Sequence, residues 1–294
     1  MTIALVSARA ARDLDEDLPP LIAALRDLNA PVSVVDWDDA SVDWRTFEVA
    51  LLRSTWDYAT RLSEFLDWIE RAARLTRLLN PPAIIRWNTD KHYLLDLARA
   101  GVPTVPSEFV EPGQDASHAL REFQARYGTG ELVVKPAIGA GSRDAQRHGG
   151  RDRAAIEAHL RRLIDAGRSA LLQPYLERVD AHGETALIYF AGRLSHAIRK
   201  GALLRTGAGP TDGLFAAETI APRDPTSEER RVGELALRAI PSGPLLYARV
   251  DLIHDADNAP RVLELELTEP SVFLLHDPSS AARFAAAILA WRDK

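Results

Sequence analysis

The chain has 294 residues, 46% of them apolar, enough for a core divided among two or three lobes. Its 36 Lys and Arg against 42 Asp and Glu give a formal net charge of −6, which argues against general affinity for nucleic acid or an anionic membrane. The absence of cysteine excludes disulfides, thiolate metal sites and a cysteine nucleophile. No apolar run approaches the ~20 residues of a membrane helix, and the first residues lack the basic flank of a secretory signal, so cytoplasmic residence is expected.

In chain order, residues 3–7 read as a buried strand, 18–28 as a helix and 32–37 as a second strand, a crossover that makes the two strands parallel. Residues 49–52 form a third strand. A helix over 62–73 carries Leu62, Phe65, Leu66 and Ile69 on one face. This open α/β lobe ends near Pro81 and Pro82. A helix then runs from Lys91 to about Ala100, where Gly101 and Pro103 stop it. Strands are expected at 132–135, 170–175, 186–190 and 193–199. A glycine-rich segment and a helix at 153–166 lie between the first two. A glycine-rich loop at 201–213, a helix at 227–239, two strands at 245–253 and 261–267, and a last helix at 279–291 complete an α+β second part.

The last two strands flank a turn rich in Asp, Asn and Pro, so they predict a hairpin. Alternation places Arg249 and Asp251 on one face of its first strand, and Glu264 and Glu266 on one face of its second. Carboxylates gathered on a hairpin repel unless a cation offsets them, and an all-oxygen site suits Mg²⁺ carrying nucleotide phosphates. Glu264 and Glu266 by themselves also fit an amphipathic hairpin with its acidic face in water.

Lys135 closes the strand LVVKP and precedes the segment IGAGS at 138–142. Glycine backbone N–H groups approach anionic oxygens closely, and the lysine adds a point charge, so the pair suits phosphate. Neither a P-loop nor a Rossmann glycine fingerprint is present. Lys91 opens a helix, and in isolation it reads more readily as a solvated surface lysine than as a binding group. The stretch from Gln173 to Glu184 offers an apolar extended segment for a purine and then an acid for ribose hydroxyls; a surface turn is the competing reading. The eight histidines show no zinc spacing, and His196, His254 and His276 read as packing or surface residues.

The ordered set Lys91, Lys135 with its glycine loop, Gln173, Leu176, Glu184, Asp251, Glu264 and Glu266 resembles the ATP-grasp superfamily over nearly the whole chain. The strings LRSTWDY (52–58), NPP (80–82), WNTDK (87–91), SHAIRK (195–200) and LELTEPS (265–271) resemble its D-cycloserine ligase branch. The resemblance implies an N-terminal open, Rossmann-like α/β lobe (1–85), a central lid lobe (86–175) and a C-terminal catalytic lobe (176–294). It implies ATP held by Lys91, Lys135, Gln173, Leu176 and Glu184, and Mg²⁺, replaceable by Mn²⁺, held by Asp251, Glu264 and Glu266. One departure is Glu266, where the wider superfamily has Asn.

The implied chemistry is transfer of the γ-phosphoryl group to a carboxylate, followed by attack of a nitrogen on the acylphosphate. Arg249, Lys135 and Arg199 are expected at the reacting groups, and Arg53, Ser54, Thr55, Asp57, Arg199 and Lys200 at an amino-acid-like substrate. The 201–213 loop, with Arg205, is expected to cover the site. The branch implies closure of O-ureido-D-serine to D-cycloserine with release of ADP, phosphate, carbon dioxide and ammonia. An intermolecular amino-acid ligase and a nucleotide-binding regulator without turnover remain alternatives, and a homo-oligomer is compatible with either.

Overall fold

A computed structural model describes residues 2–205, 219–241 and 245–292. The expected loop therefore lies outside the described residues over 206–213, and only 201–205 can be placed.

The first sheet contains β1 (Thr2–Ser7), β2 (Val32–Asp36), β3 (Phe47–Ser54) and β4 (Arg77–Leu79), in the order β2-β1-β3-β4 and parallel throughout. α1 (Leu18–Asp27) and α2 (Leu62–Ala72) supply the crossovers that parallel strands require. α3 (Pro82–Asn88) begins at a proline, which the first helical position tolerates because its missing N–H would have no intrahelical partner. α4 (Tyr93–Arg99) ends at Gly101, whose φ of 81° suits glycine.

A second, antiparallel sheet has the order β5-β8-β6-β7, from β5 (Glu108–Val110), β6 (Leu132–Pro136), β7 (Gln146–His148) and β8 (Ala170–Pro174). α5 (Ala116–Tyr127) and α6 (Arg153–Asp165) cover it, with Leu120, Phe123, Leu160 and Leu163 packed on Leu132, Val134 and Leu172 in a core of their own. The sequence reading missed α5. Asp115 caps it by accepting from Ser117 N at 2.8 Å and His118 N at 3.1 Å, and Gly128 ends it at φ 84°.

After α7 (Val179–His182) comes a third sheet, ordered β11-β10-β9-β12-β13. It comprises β9 (Glu184–Phe190), β10 (Arg193–Lys200), β11 (Ile220–Pro222), β12 (Tyr247–His254) and β13 (Pro260–Glu266), all antiparallel. α8 (Ser227–Arg238) and α9 (Ser280–Arg292) follow β11 and β13 respectively. Leu5 and Leu51 of the first sheet share one core with Ile188, Tyr247 and Phe284, and Phe190 stacks on Phe284 at 4.3 Å. Ile84, Leu94 and Leu97 of α3 and α4 pack with Leu187, Val250 and Leu265 of the third sheet. The first and third sheets are thus joined through apolar burial, which fixes the strand ends that carry the site.

Within α6, His159 is 4% exposed and its Nδ1 lies 3.0 Å from His148 Nε2. Burial, with help from Arg162 and His148, lowers its pKa to about 4. A histidine depressed in the folded state contributes stability that is present in full above its unfolded value near 6.5 and is lost as pH falls towards 4. Lowering pH from 7 to 5 should therefore reduce Tm by roughly 5 °C, with a smaller reduction in His159→Gln. Equal pH dependence in calorimetric scans of the two proteins would exclude His159 as the titrating group.

Candidate active site

The hairpin of β12 and β13 places Arg249 opposite Glu266 and Asp251 opposite Glu264, as strand alternation predicts. The side chains meet in a network of buried charges. Asp251, 1% exposed, accepts Arg249 Nε on Oδ1 at 2.9 Å, and Arg249 Nη2 at 2.9 Å and Lys200 Nζ at 2.7 Å on Oδ2. Burial opposes its ionisation, but Arg249 and Lys200 outweigh it and hold the carboxyl at about 2. Lys200 also pairs with Glu184 at 2.8 Å. Arg249 pairs in addition with Glu266 and donates to Ser271 O at 3.0 Å.

Lys91 pairs with Glu264 at 2.9 Å and donates to Gly139 O at 2.9 Å, tying the start of α4 to the glycine segment. Burial lowers the Lys91 pKa, but the Glu264 carboxylate reverses the effect and leaves it raised. Glu264 itself is lowered: burial opposes this, while Lys91 and Lys135 bring it about. Lys135 makes no hydrogen bond or ion pair among the described residues, and burial holds its pKa below the usual lysine value. Glu266 is raised to about 7 by burial and by the charges of Asp251 and Glu264, against the pull of Arg249.

All of these groups except Asp251 line a cavity of about 480 Å³ between the sheets. Lys91, Lys135, Lys200, Arg249, Glu264 and Glu266 occupy one region, and Gly139 and Gly141 border it. Gly141 has φ 62°, a conformation that favours glycine. Val105, Val133, Leu176, Ile253 and Leu263 form an apolar wall suited to a flat ring system. Gln173 lines the same cavity, its Nε2 donating to Ser107 Oγ at 2.9 Å. Glu184 lies at its edge through the Lys200 pair. Ala202, Leu203 and Leu204 also reach it.

Other placements revise the expectations. Arg53, Ser54, Thr55 and Asp57 do not line the cavity. Arg53 is 1% exposed, donates to Pro270 O at 2.8 Å and lies 3.6 Å from Asp17, so a substrate cannot reach it. Ser54 pairs with Ser7 Oγ at 2.8 Å, Thr55 is fully buried, and Asp57 accepts Trp37 Nε1 at 2.9 Å. Their neighbours Trp56 and Tyr58 line the cavity instead. Arg199 turns to the end of α7, donating to His182 O at 2.5 Å and Ala181 O at 2.8 Å, and is also absent from the lining. Alternation explains this: Lys200 takes the face towards Asp251, so Arg199 takes the other. His196 donates from Nε2 to Val272 O, shares a hydrogen bond with Ser195 Oγ at Nδ1, and has a packing role; His276 lines the cavity.

Glu269 was not assigned from sequence, yet it lines the cavity. It lies beyond the end of β13, where the alternation that identified Glu264 and Glu266 no longer operates.

The donor set fits Mg²⁺ in kind, since all three carboxylates offer hard oxygen ligands. Among the described residues no three acidic or histidine groups already converge as a metal cluster, because Asp251 and Glu264 are turned to their ion-pair partners. Asp251 lies behind Arg249 and Lys200 rather than in the cavity wall.

The profile of the D-cycloserine synthetase DcsG N-terminal domain matches residues 3–80. The cycloserine biosynthesis protein DcsG of Streptomyces lavendulae is 42% identical over 97% of both chains. The crystal structure of D-cycloserine synthetase DcsG superposes with a TM-score of 0.92 at 42% identity, covering 99% of this chain and 100% of that one. The D-alanine–D-alanine ligase of Bacillus anthracis complexed with ATP superposes at 0.69 with 16% identity, covering 100% and 99%. The ATP-grasp ligase PsnB complexed with a precursor variant, Mg and ADP superposes at 0.67 with 18% identity, covering 99% and 98%; these two establish the fold alone. Fold and sequence together place this chain in the DcsG family of ATP-grasp ligases.

Proposed function

We propose that the protein closes O-ureido-D-serine to D-cycloserine at the expense of ATP, releasing ADP, phosphate, carbon dioxide and ammonia. The observation that carries this reading is the cavity in which the Lys135 ammonium, without an ion pair among the described residues, the Lys91–Glu264 pair and the Arg249–Glu266 pair converge beside an apolar wall. The 42% identity to a cycloserine biosynthesis protein supports the choice of substrate.

ATP would lay its base along the apolar wall, near Gln173 and Leu176, with Glu184 at the ribose. Lys91, Lys135 and the glycine segment would hold the phosphates. Glu264 and Glu266 would hold Mg²⁺ or Mn²⁺, which offsets phosphate charge when bound, and Asp251 would join them as third carboxylate on exchanging a contact with Lys200 or Arg249 for the cation. The substrate carboxylate receives the γ-phosphoryl group, and Lys135, Lys200 and Arg249 stabilise the spreading charge, since positioning and electrostatics dominate such transfers. Phosphate then leaves as the substrate's own N–O nitrogen attacks the acyl carbon, and one water cleaves the carbamoyl group from that nitrogen as carbon dioxide and ammonia; holding both reacting groups on one molecule supplies the proximity that ring closure exploits.

Residues 1–85 would present the substrate, 86–175 would form the lid, and 176–294 would hold the catalytic groups. No helix among the described residues is long and apolar enough to cross a membrane, and a small-molecule ligase of the cytoplasm fits the composition. Incubation with Mg·ATP and O-ureido-D-serine should yield ADP together with a product of D-cycloserine mass. ADP release with paired amino acids, and none with the ureido compound, would instead establish an intermolecular ligase. ATP binding without ADP release from any carboxylate would identify a regulator.

A further inference from the structure

Glu269 is 8% exposed and lines the cavity, and its carboxyl makes no hydrogen bond or ion pair among the described residues. A buried carboxylate without a donor is costly, and the main chain around it is held with unusual thoroughness. Tyr247 OH donates to Thr268 O at 2.9 Å, Trp56 Nε1 to Glu269 O at 3.2 Å, Arg53 to Pro270 O at 2.8 Å and Arg249 to Ser271 O at 3.0 Å. Four consecutive carbonyls are thus fixed by side chains from β3, the segment that follows it, and β12. This framework holds the Glu269 main chain in place at the cavity wall, and the carboxyl that it presents there points to a partner from outside the chain.

The surroundings define that partner. The cations nearest the phosphate region are committed elsewhere, Lys91 to Glu264 and Gly139 O, and Arg249 to Asp251 and Glu266. Trp56 and Tyr58 border the same cavity, and aromatic faces beside a carboxylate suit an ammonium. Tyr58 lines the cavity with Glu269, and its pKa is raised well above the ordinary value by burial and then by the charge of Glu269. Burial, followed by the Glu266 and Glu264 charges, likewise raises Glu269, a penalty that an incoming positive charge would remove.

We infer that Glu269, with Trp56 and Tyr58, is the specificity subsite that receives the α-ammonium group of the amino-acid substrate, orienting its carboxylate towards Lys135 and Arg249. This rests on the ligase reading above and adds the residue that distinguishes an amino acid from a plain carboxylic acid.

The test compares O-ureido-D-serine with 3-(ureidooxy)propanoate, the same molecule without its amino group, in wild type, Glu269→Gln and Glu269→Ala, with folding checked by circular dichroism. Wild type should prefer the amino substrate, and Glu269→Gln should raise its KM about 10- to 100-fold, the effect of losing one charge-assisted hydrogen bond. The KM for ATP should stay within about twofold, and activity on the des-amino compound should be unchanged, so that discrimination collapses. Equal losses with both compounds, a change confined to Mg²⁺ or ATP dependence, or loss of discrimination in Asp15→Asn, at another buried carboxylate of the cavity lining, but not in Glu269→Gln would overturn the subsite. Should wild type ignore the ureido compound, the cyclising reading fails, and D-alanine against propanoate makes the same comparison; no turnover with either pair would overturn both readings together.

Discussion

Lys135→Met should lower the rate of ADP release by about three orders of magnitude while leaving the protein at least as heat-stable as wild type. The ammonium is half-buried at the cavity wall without an ionic partner among the described residues; burial lowers its pKa, and Lys91 and Lys200 add to this against the pull of Glu264 and Glu184. Replacing it by an apolar side chain of similar length removes a desolvation penalty and leaves no group unpaired. Lys91→Met should be equally inactive but less stable, by about 2 kcal/mol, because Glu264 loses its partner at 2.9 Å; the cost stays below that of a fully enclosed pair since Glu264 opens to the cavity. Thermal melts and ADP assays on the two variants separate the effects. A marked fall in Tm for Lys135→Met would show that this lysine supports the fold.

Asp251→Asn should be both inactive and unstable. Asp251 is the common partner of Arg249 and Lys200, and an amide there leaves two buried cations short of negative charge, at a cost of about 3 kcal/mol. The two cations would also lose the orientation that directs them into the cavity, so kcat should fall by about two to three orders of magnitude. In wild type the carboxyl is depressed to about 2 from an ordinary value of 3.8. Its stabilising contribution is therefore complete above pH 3.8 and disappears as pH falls towards 2. Chemical denaturation from pH 7 to pH 2.5 should show wild type losing stability below pH 4, with a flatter profile in Asp251→Asn. A variant with wild-type turnover and an unchanged acid limb would exclude the proposed role of the cluster.

Local patterns reached far in this chain. Alternation along β12 and β13 grouped Arg249, Asp251, Glu264 and Glu266, and the structure pairs them across the hairpin. The apolar spacing of α2 and the capping signals of α4 also translated directly into buried faces, with Phe65 and Ile69 in one core and Leu94 and Leu97 in another. The signals for α5 were present too, in Asp115 and Gly128, but its charged surface weakened the apolar period that the reading relied on.

The strings that carried the resemblance acquired a different meaning in three dimensions. Arg53 and Trp56 from one string bind the carbonyls of Pro270 and Glu269 in another, 217 and 213 residues away in sequence. Asn80 brackets the third sheet by donating to Tyr247 O and Leu267 O and accepting from Leu246 N, and Asn88 does the same at Leu265 O and Leu267 N. These polar residues read from sequence as binding groups or as branch markers, and they serve as clamps between lobes. A polar side chain looks the same in a one-dimensional pattern whether it meets a ligand or a main-chain carbonyl.

The sequence by itself determined the succession of elements, the carboxylate-bearing hairpin and the lysines expected at phosphate, because each depends on short-range periodicity or on residue chemistry alone. Only the tertiary structure decided which of those charges are already paired, that Asp251 stands behind Lys200 and Arg249, that Arg53 and Arg199 are committed to carbonyls, and that the Glu269 carboxyl faces the cavity without a hydrogen bond or ion pair among the described residues. Those outcomes depend on burial and on distances between residues far apart along the chain, and electrostatic energies are set by these two quantities.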